Sequence, residues 1–431
     1  MGWARRQRFA ERRAVSLWFV PSIALMAGIA VAVTMLRLDR AYRWELLGFS
    51  ASGAQSFLGV LSSALVTFIG LVFSVITIAI QFAAGNLSPR IVKPLLASKR
   101  SRFMLGTATF TLGYTLSLLL RIDESIVPQA ALAVSIPLMV VSIFGFIILI
   151  DITGSQLRFA NIYAKTLDSG LQAIHRTFPL PLIETKKEIR FPDDSSMDNA
   201  KLIVYRGKSG VIHDFARDEL LAHCCRHKVS ITALRAVGDY IYPGVPLFLV
   251  SHPILLAQDE WLQESVLVGR ERLVDHDPAY AIRLLVDIAI RALSPAVNDP
   301  TTAVGCLDRI EFLLHAIGGK QLDVGDLASG DGIIRLRIPM PTWNDYVALA
   351  CNEIRYYGSE SFQVTARLKT MLEDLHASLP PVRTGVLRDE LAILAREVPR
   401  HFRERADQER AMTSDRQGLG GASLRNGNIH G

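Results

Sequence analysis

The chain has 431 residues, half of them apolar, and a formal net charge of +6 at neutral pH. Residues 1–150 hold 14 Lys and Arg against 5 Asp and Glu, whereas residues 151–431 hold 33 against 36. The basic excess therefore lies in the apolar third of the chain and not on a polar domain, which argues against nucleic acid as a partner.

Four long stretches of this first third contain no Asp, Glu, Lys or Arg. They cover residues 15–36, 46–89, 103–120 and 125–150. About 20 apolar residues of helix cross the hydrocarbon core of a bilayer, where lipid offers no partners for backbone amides. The sequence therefore predicts an α-helical membrane domain over residues 1–150. Its four transmembrane helices are expected near residues 15–36, 57–84, 103–121 and 126–150.

The basic residues predict the orientation of these spans. Five Arg precede the first span and five Lys or Arg separate the second from the third, against three and one in the other two connections. By the positive-inside rule, the N-terminus and everything after residue 150 lie in the cytoplasm, as in a multi-pass protein of the bacterial inner membrane. The tripeptide 30–32 also suits a cleaved signal peptide, but the further spans favour an uncleaved anchor.

The second span carries a stripe of small and polar residues. They recur every three or four positions and so share one face of the helix: Gly59, Ser63, Thr67, Gly70, Ser74, Thr77 and Gln81. One interpretation is helix packing, because small residues let backbones approach each other. The other is the polar lining of a pore that becomes continuous in an oligomer. The absence of ionisable residues from the predicted spans argues against ion-coupled transport.

A junction motif follows the second span at the predicted cytoplasmic surface. Ser88 and Pro89 would break the helix, and Arg90 could reach phosphate headgroups. The motif is read either as a structural stop or as an element that couples the spans to the cytoplasmic part.

The polar part of the chain is expected to be an α+β region with four segments. Residues 151–199 form a helix and a Pro-rich linker, 200–255 a small β unit, 256–410 a helical domain, and 411–431 a disordered tail rich in Gly, Ser and Asn. The β unit is expected to hold strands at 201–206, 211–215, 229–237 and 246–250, with a helix at 217–227. In the helical domain, a strand is expected at 333–338 and helices at 278–293, 300–317, 343–357, 360–378 and 387–409.

A cytoplasmic motif within the helical domain is dense in polar residues. Its members are Asp287, Arg291, Ser294, Pro295, Asn298, Asp299, Pro300, Thr301 and Thr302. Asp287 and Arg291 are spaced to pair on one helix face. Asp299 and Pro300 are typical of a helix start, whose free amides could also hold an anion. The motif is thus either a well-capped turn between helices or a functional site.

The sequence contains few other features that indicate metal binding or catalysis. His223 and His227 lie one helical turn apart with Cys224 and Cys225 between them, but no second pair of zinc ligands accompanies them. The sequence contains no phosphate-binding loop, nucleophile elbow or zinc-protease motif. We therefore expect a non-enzymatic protein without a cofactor, and an enzyme built around the 287–299 segment is the least favoured hypothesis.

Several of these segments together resemble a bacterial family of predicted membrane proteins, catalogued as domain of unknown function 2254. The resemblance runs from about residue 14 to 405 and depends on residues 16–21, 73–74, 81, 88–90, 292–295 and 298–303. It implies an inner-membrane protein with four N-terminal spans, and it implies no activity. Residues 210–212 and 237–247 are also similar to the barrel-sandwich fold of biotinyl and lipoyl domains. They lack the modifiable Met-Lys-Met hairpin, which implies a structural or interaction module.

From the sequence we expect a homo-oligomer in the lipid bilayer. Its cytoplasmic region would sense an unidentified small ligand or protein and act on the membrane helices, around a pore lined by the second span. The alternative is a membrane-anchored scaffold whose function lies in protein contacts alone.

Overall fold

A computed structural model of the chain describes residues 19–42, 48–86, 99–122, 127–156, 159–182, 200–251 and 259–420. These residues divide into two compact units, one ending at Ile162 and one beginning at Tyr163. The first unit is helical. Its helices are α1 (Phe19–Tyr42), α2 (Ala51–Asn86), α3 (Lys99–Leu119) and α4 (Gln129–Gln156).

Three of these helices, α1, α2 and α4, are long and apolar enough to cross a membrane. The remaining helix, α3, corresponds to the third predicted span and does not meet this criterion within the described residues. The reason is its composition, because α3 begins with Lys99, Arg100 and Arg102 and mixes Gly, Thr, Ser and Tyr with its apolar residues. The prediction of membrane helices is thus confirmed for three helices, and that of four spans is not.

Helix α3 packs against all three of the other helices. A Cβ at Gly28 of α1 would overlap the carbonyl oxygen of Phe110, and one at Gly113 of α3 would lie 2.6 Å from the carbonyl oxygen of Leu25. The two backbones therefore approach each other as closely as small residues allow. The polar side chains of α3 are satisfied by its neighbours. Ser62 of α2 donates to Thr115 at 3.1 Å, Thr111 pairs with Ser142 of α4 at 2.9 Å, and the Tyr114 hydroxyl donates to the carbonyl oxygen of Ala131 at 2.8 Å.

An amphipathic helix, α5 (Phe159–Thr177), crosses the boundary between the units, and from Tyr163 onward it belongs to the second unit. Ala173 and Ile174 are fully buried, and a Cβ at Gly170 would contact Ala281 at 2.8 Å and Leu313 at 3.0 Å. Because only hydrogen fits at Gly170, α5 lies directly on the helices that carry Ala281 and Leu313. The segment after α5 continues this packing through a bridge between Pro181 and Lys320.

Eight short strands form two sheets in the second unit. The strands are β1 (Lys201–Val204), β2 (Gly210–Phe215), β3 (Ile231–Ala233), β4 (Tyr240–Ile241), β5 (Pro246–Val250), β6 (Val266–Gly269), β7 (Asp326–Ala328) and β8 (Ile334–Arg337). One sheet has the order β1-β5-β3-β8-β7 and the other the order β4-β2-β6. All described pairings are antiparallel except β3 with β8.

The barrel-sandwich architecture is not confirmed. β6, β7 and β8 lie outside residues 200–255 in sequence and yet complete both sheets. The apolar residues of the two sheets and of helix α6 (Arg217–His227) form one core, in which Ile212, Leu247 and Phe248 are fully buried. Because β8 supplies Leu336 to this core, the small sheets and the helical region fold together.

The remaining helices pack mainly around α8 and α9. They are α7 (Asp259–Glu264), α8 (Pro278–Ala292), α9 (Pro300–Gly318), α10 (Trp343–Gly358), α11 (Phe362–Ser378), α12 (Pro381–His401) and α13 (Arg405–Ala411). α8 is buried on most of its circumference, as expected for a central helix. A charged network crosses this region. In it, Arg283 of α8 binds Asp287 of the same helix and Glu353 of α10.

The chain after α13 lies against α11. This segment, residues 412–420, is part of the tail 411–431 for which the sequence predicts disorder. The backbone amide of Asp415 donates to Thr370 Oγ1 at 2.7 Å, and Arg416 forms two contacts with Asp374. The Asp415 carboxylate in turn accepts the amides of Gly418 and Gly420 at 2.9 and 2.7 Å. Side-chain hydrogen bonds thus hold a Gly-rich segment that composition alone suggests is loose.

Candidate functional site

The small and polar stripe of α2 is exposed on the surface of the single chain. Ser63, Thr67, Gly70, Ser74, Thr77 and Gln81 are all exposed, and Gly59 is half-buried. A Cβ added at Gly59 or Gly70 would meet no described atom within 4 Å. No other described helix of the chain therefore packs on this face.

The face of α2 that packs inside the chain lies on the other side of the helix. Its fully buried residues are Ala54, Leu58 and Leu65, joined by Leu61 and Val72. At 100° per residue, this face lies roughly 165° around the helix from the stripe. The small residues of the stripe are therefore not explained by packing among the described helices of one chain.

Three hydroxyl groups of the stripe donate to carbonyl oxygens of their own helix. Thr67 donates to the carbonyl oxygen of Ser63 at 2.9 Å, and Ser74 to that of Gly70 at 3.2 Å. Thr77 donates to the carbonyl oxygen of Phe73 at 2.8 Å. This bonding to the preceding turn lets a hydroxyl group enter an apolar environment at low cost and leaves its lone pairs directed outward.

Sequence reasoning missed the first part of the stripe. Because α2 begins at Ala51, Ser52 and Ser56 lie on the helix and continue the three- and four-residue spacing toward its N-terminus. Both side chains are exposed. The stripe then covers residues 52–81, about 45 Å of helix, which exceeds the roughly 30 Å hydrocarbon core of a bilayer.

A buried carboxylate in the first unit was also missed. Asp39 is only 6% exposed and accepts the backbone amides of Ala130 and Ala131, at 3.2 and 3.5 Å, where α4 begins. The first span was expected to end at residue 36, whereas α1 continues to Tyr42 and carries Asp39 into the helical unit. The amides of a helix start stabilise a carboxylate in this position.

The motif from Asp287 to Thr302 is arranged around two helix ends. Asp299 caps α9, accepting the amide of Thr302 at 3.1 Å and its hydroxyl group at 2.6 Å, with Pro300 in the first turn. Asn298 has φ +47° and donates its amide to the carbonyl oxygen of Ser294 at 2.8 Å, which closes the turn. The Ser294 hydroxyl group bonds the carbonyl oxygen of Arg291 at the end of α8.

The rest of the motif is divided between the surface and the charged network. Pro295, Asn298 and Thr301 are exposed. Asp287 accepts from Arg283 at 2.7 Å, one turn before it on α8. The motif therefore consists mainly of capping and bracing interactions around an exposed turn.

One residue from α5 contacts the helix that this motif begins. The Tyr163 hydroxyl group donates to the carbonyl oxygen of Thr302 at 3.2 Å, and the guanidinium of Arg309 lies 5.2 Å from the centre of its ring. Burial raises the pKa of Tyr163 above its usual value and that of the neighbouring Cys306 to about 12. Both groups therefore stay protonated at neutral pH, and the Cys306 thiol is not an activated nucleophile.

The weak metal candidates lie side by side. The ring centres of His223 and His227 are 4.4 Å apart, and the Trp261 ring stacks on His223 at 4.6 Å. Cys224 is buried and Cys225 exposed. No group of three His, Cys, Asp or Glu is placed to hold a metal ion in the part of the chain that the structure describes. The junction residues Ser88, Pro89 and Arg90 lie outside the described residues.

Comparison with known proteins extends over most of the chain. The model of a family described as predicted membrane protein (DUF2254) matches residues 14–374. Uncharacterized proteins of Mycobacterium tuberculosis (strain H37Rv) and Mycobacterium bovis are 23% identical over 420 residues, which cover 94% of this chain and 80% of each relative. No solved structure matches the chain.

Proposed function

Since this chain belongs to the DUF2254 family of predicted membrane proteins, we propose that it is an oligomer of the bacterial inner membrane whose α2 helices meet through the stripe and line a polar path. In this proposal all four helices of the first unit span the bilayer. The soluble unit lies in the cytoplasm and regulates the path. The proposal depends mainly on the position of the stripe, on the side of α2 that the described residues of the chain leave uncovered.

A second copy is the occupant that best suits this face. Lipid-facing surfaces need only apolar side chains, such as the exposed Val66, Leu71 and Ile78 that flank the stripe. Association between membrane helices instead uses Gly, Ser and Thr, because they allow close approach and add hydrogen bonds. The stripe has this composition from Ser52 to Thr77, and only Gln81 departs from it.

The inclusion of α3 as a fourth span follows from its surroundings. A helix shielded by three apolar neighbours can be less hydrophobic than one that faces lipid on most sides. Its Thr111, Tyr114 and Thr115 have partners inside the unit, as the bilayer interior requires. Four spans also return the chain to the cytoplasmic side, which agrees with the distribution of Lys and Arg.

Regulation would act through α5. Only residues 157 and 158 separate α4 from α5, and from Tyr163 onward α5 is packed within the second unit through Tyr163, Gly170 and Ile174. A change in the packing of α8 or α9 would therefore act on α5. The capping and bracing roles of the Asp287–Thr302 segment favour such a structural function over catalysis.

Cysteine substitution tests the proposal. In a Cys225→Ser background, Ser74→Cys or Thr77→Cys should form disulfide-linked dimers and react with a charged, water-soluble thiosulfonate in proteoliposomes. Leu71→Cys lies on an exposed flank of the same helix and serves as the matched control, which should react in neither assay. Flux of small ions from the same vesicles should be blocked by the reaction at Ser74→Cys.

The outcomes separate the alternatives. Cross-linking without reagent access or flux would remove the polar path and favour a scaffold whose α2 helices only pack together. If neither Ser74→Cys nor Thr77→Cys cross-linked or reacted, the proposed oligomer would be rejected. A C-terminal tag reachable from outside intact cells would reject the orientation.

A further inference from the structure

Two imidazole rings lie one helical turn apart at the C-terminal end of α6. The ring centres of His223 and His227 are 4.4 Å apart, and His227 is the last residue of the helix. The carbonyl groups of a helix C-terminus carry a partial negative charge, which favours a cation close to them. The location at the C-terminal end of α6 and the two imidazole side chains therefore both favour a positively charged ligand.

His223 also has an unsatisfied nitrogen. Its Nε2 atom is buried and has no hydrogen-bond partner among the residues that the structure describes. A buried polar atom without a partner costs about 1–3 kcal/mol. Burial, with smaller contributions from His227 and Arg226, lowers the pKa of His223. At neutral pH the ring is therefore uncharged, which is the form that coordinates a metal ion.

We propose that His223 and His227 form a two-histidine site for a divalent transition-metal ion, with water completing the coordination. Imidazole nitrogen suits Cu²⁺, Ni²⁺ and Zn²⁺, whereas Mg²⁺ and Ca²⁺ prefer oxygen. With only two protein ligands, the site differs from closed structural zinc sites, which have four. The bound ion is therefore exchangeable and open to a further ligand.

Binding changes the surroundings of Trp261. A metal ion lies about 2.0–2.1 Å from each imidazole nitrogen, so the two imidazole rings, which are tilted by 36° to each other, must turn toward a common point. His223 then moves relative to the Trp261 ring, which it contacts face to face at 4.6 Å. Trp261 fluorescence is thus a direct reporter that does not depend on any activity of the protein.

The test is titration of untagged, full-length, detergent-solubilised protein with each metal chloride alone, followed by calorimetry and by Trp fluorescence. We expect one ion per chain, with affinity decreasing in the order Cu²⁺, Ni²⁺ or Zn²⁺, Mn²⁺. His227→Ala and His223→Ala should each weaken binding at least about tenfold, the loss of one of two ligands. Trp261→Phe should abolish the fluorescence response and keep the calorimetric one.

His401→Ala, which removes an exposed histidine at the end of α12, is the matched control and should bind as the wild type does. His227 is itself exposed, so its replacement should leave the fold intact. Equal affinities for His227→Ala and the wild type would overturn the proposal. Equal weakening by His401→Ala would also overturn it, because the binding would then be non-specific.

Discussion

The ring of Tyr163 lies against the backbone of α9 at Gly305, where an added methyl group would stand only 3.2 Å from the ring. The absence of a side chain at Gly305 lets the Tyr163 hydroxyl group reach the carbonyl oxygen of Thr302 in the first turn of the helix. Tyr163 is the first residue of the second unit. This contact therefore fixes the start of that unit to the helix that Asp299 caps.

Replacing Tyr163 should separate the contribution of its hydroxyl group to stability from that of its ring. Tyr163→Phe keeps the ring and loses one hydrogen bond, which should lower the free energy of unfolding by about 1 kcal/mol. Tyr163→Ala also leaves a cavity, and the expected loss is about 3–5 kcal/mol. Denaturant titration of the second unit, followed by far-UV circular dichroism in full-length protein, measures both. Tyr356→Phe, at a residue that is 74% exposed, is the control and should change nothing.

The close approach of α1 and α3 predicts a strong difference between glycines. Gly28→Leu places a side chain where the α3 backbone lies and should destabilise the helical unit by at least about 1–3 kcal/mol, the usual cost of overpacking. Gly70→Leu meets open space in the single chain and should leave its unfolding unchanged. Unfolding by sodium dodecyl sulfate, followed by circular dichroism, compares the two. Similar losses for both variants would contradict the packing described for α1 and α3.

Gly70→Leu has a second use, because the proposed oligomer contact includes Gly70. A bulky side chain there should weaken association of copies while the single chain stays folded. Analytical ultracentrifugation in detergent would show the shift toward smaller species. An unchanged distribution of species would show that Gly70 of the stripe does not take part in oligomer formation.

Asp39 gives a third prediction. Asp39→Ala removes the acceptor for two amides at the start of α4 and should cost about 0.5–2 kcal/mol, as for a lost helix cap. Asp39→Asn keeps a side-chain oxygen and should lose less. Arg40→Ala, at the exposed neighbouring residue, should be close to wild type in the same detergent unfolding assay. Equal effects of all three would indicate that the carboxylate does not cap α4.

The sequence predicted the elements that depend on local patterns. The spacing of the α2 stripe, the Asp299 cap with Pro300 and the β8 strand are all read from periodicity or capping residues, and the structure has them. The sequence could not show which side of α2 packs inside the chain, because Leu58 and Leu65 do not differ in type from the other apolar residues of the span. The burial of Asp39 and the contact of Tyr163 depend on residues about 90 and 140 positions away, which no local pattern records.

Stability should depend on pH through His223. Its pKa in the folded protein lies below the value of about 6.5 for an unfolded chain, because burial disfavours the charged ring. Between these two values the unfolded chain binds more protons, so stability is present above about pH 6.5 and is lost as the pH falls below it. His223→Gln should flatten this slope between pH 5 and 7 in denaturant titrations with a chelator present. An unchanged slope would assign the pH dependence to another group.

The ordered segment after α13 should detach when its central carboxylate is removed. Asp415 is only 4% exposed and accepts the amides of Gln417, Gly418 and Gly420. Asp415→Ala leaves these donors without their acceptor, which should free residues 413–420 while α11 stays folded. Limited proteolysis with mass spectrometry should then show faster cleavage in this segment at an unchanged global melting temperature. Glu404→Ala, at a residue whose side chain makes no capping hydrogen bond to α13, is the matched control. Equal cleavage rates for the two variants would mean that contacts other than the Asp415 carboxylate, such as the Arg416–Asp374 pair, hold the segment.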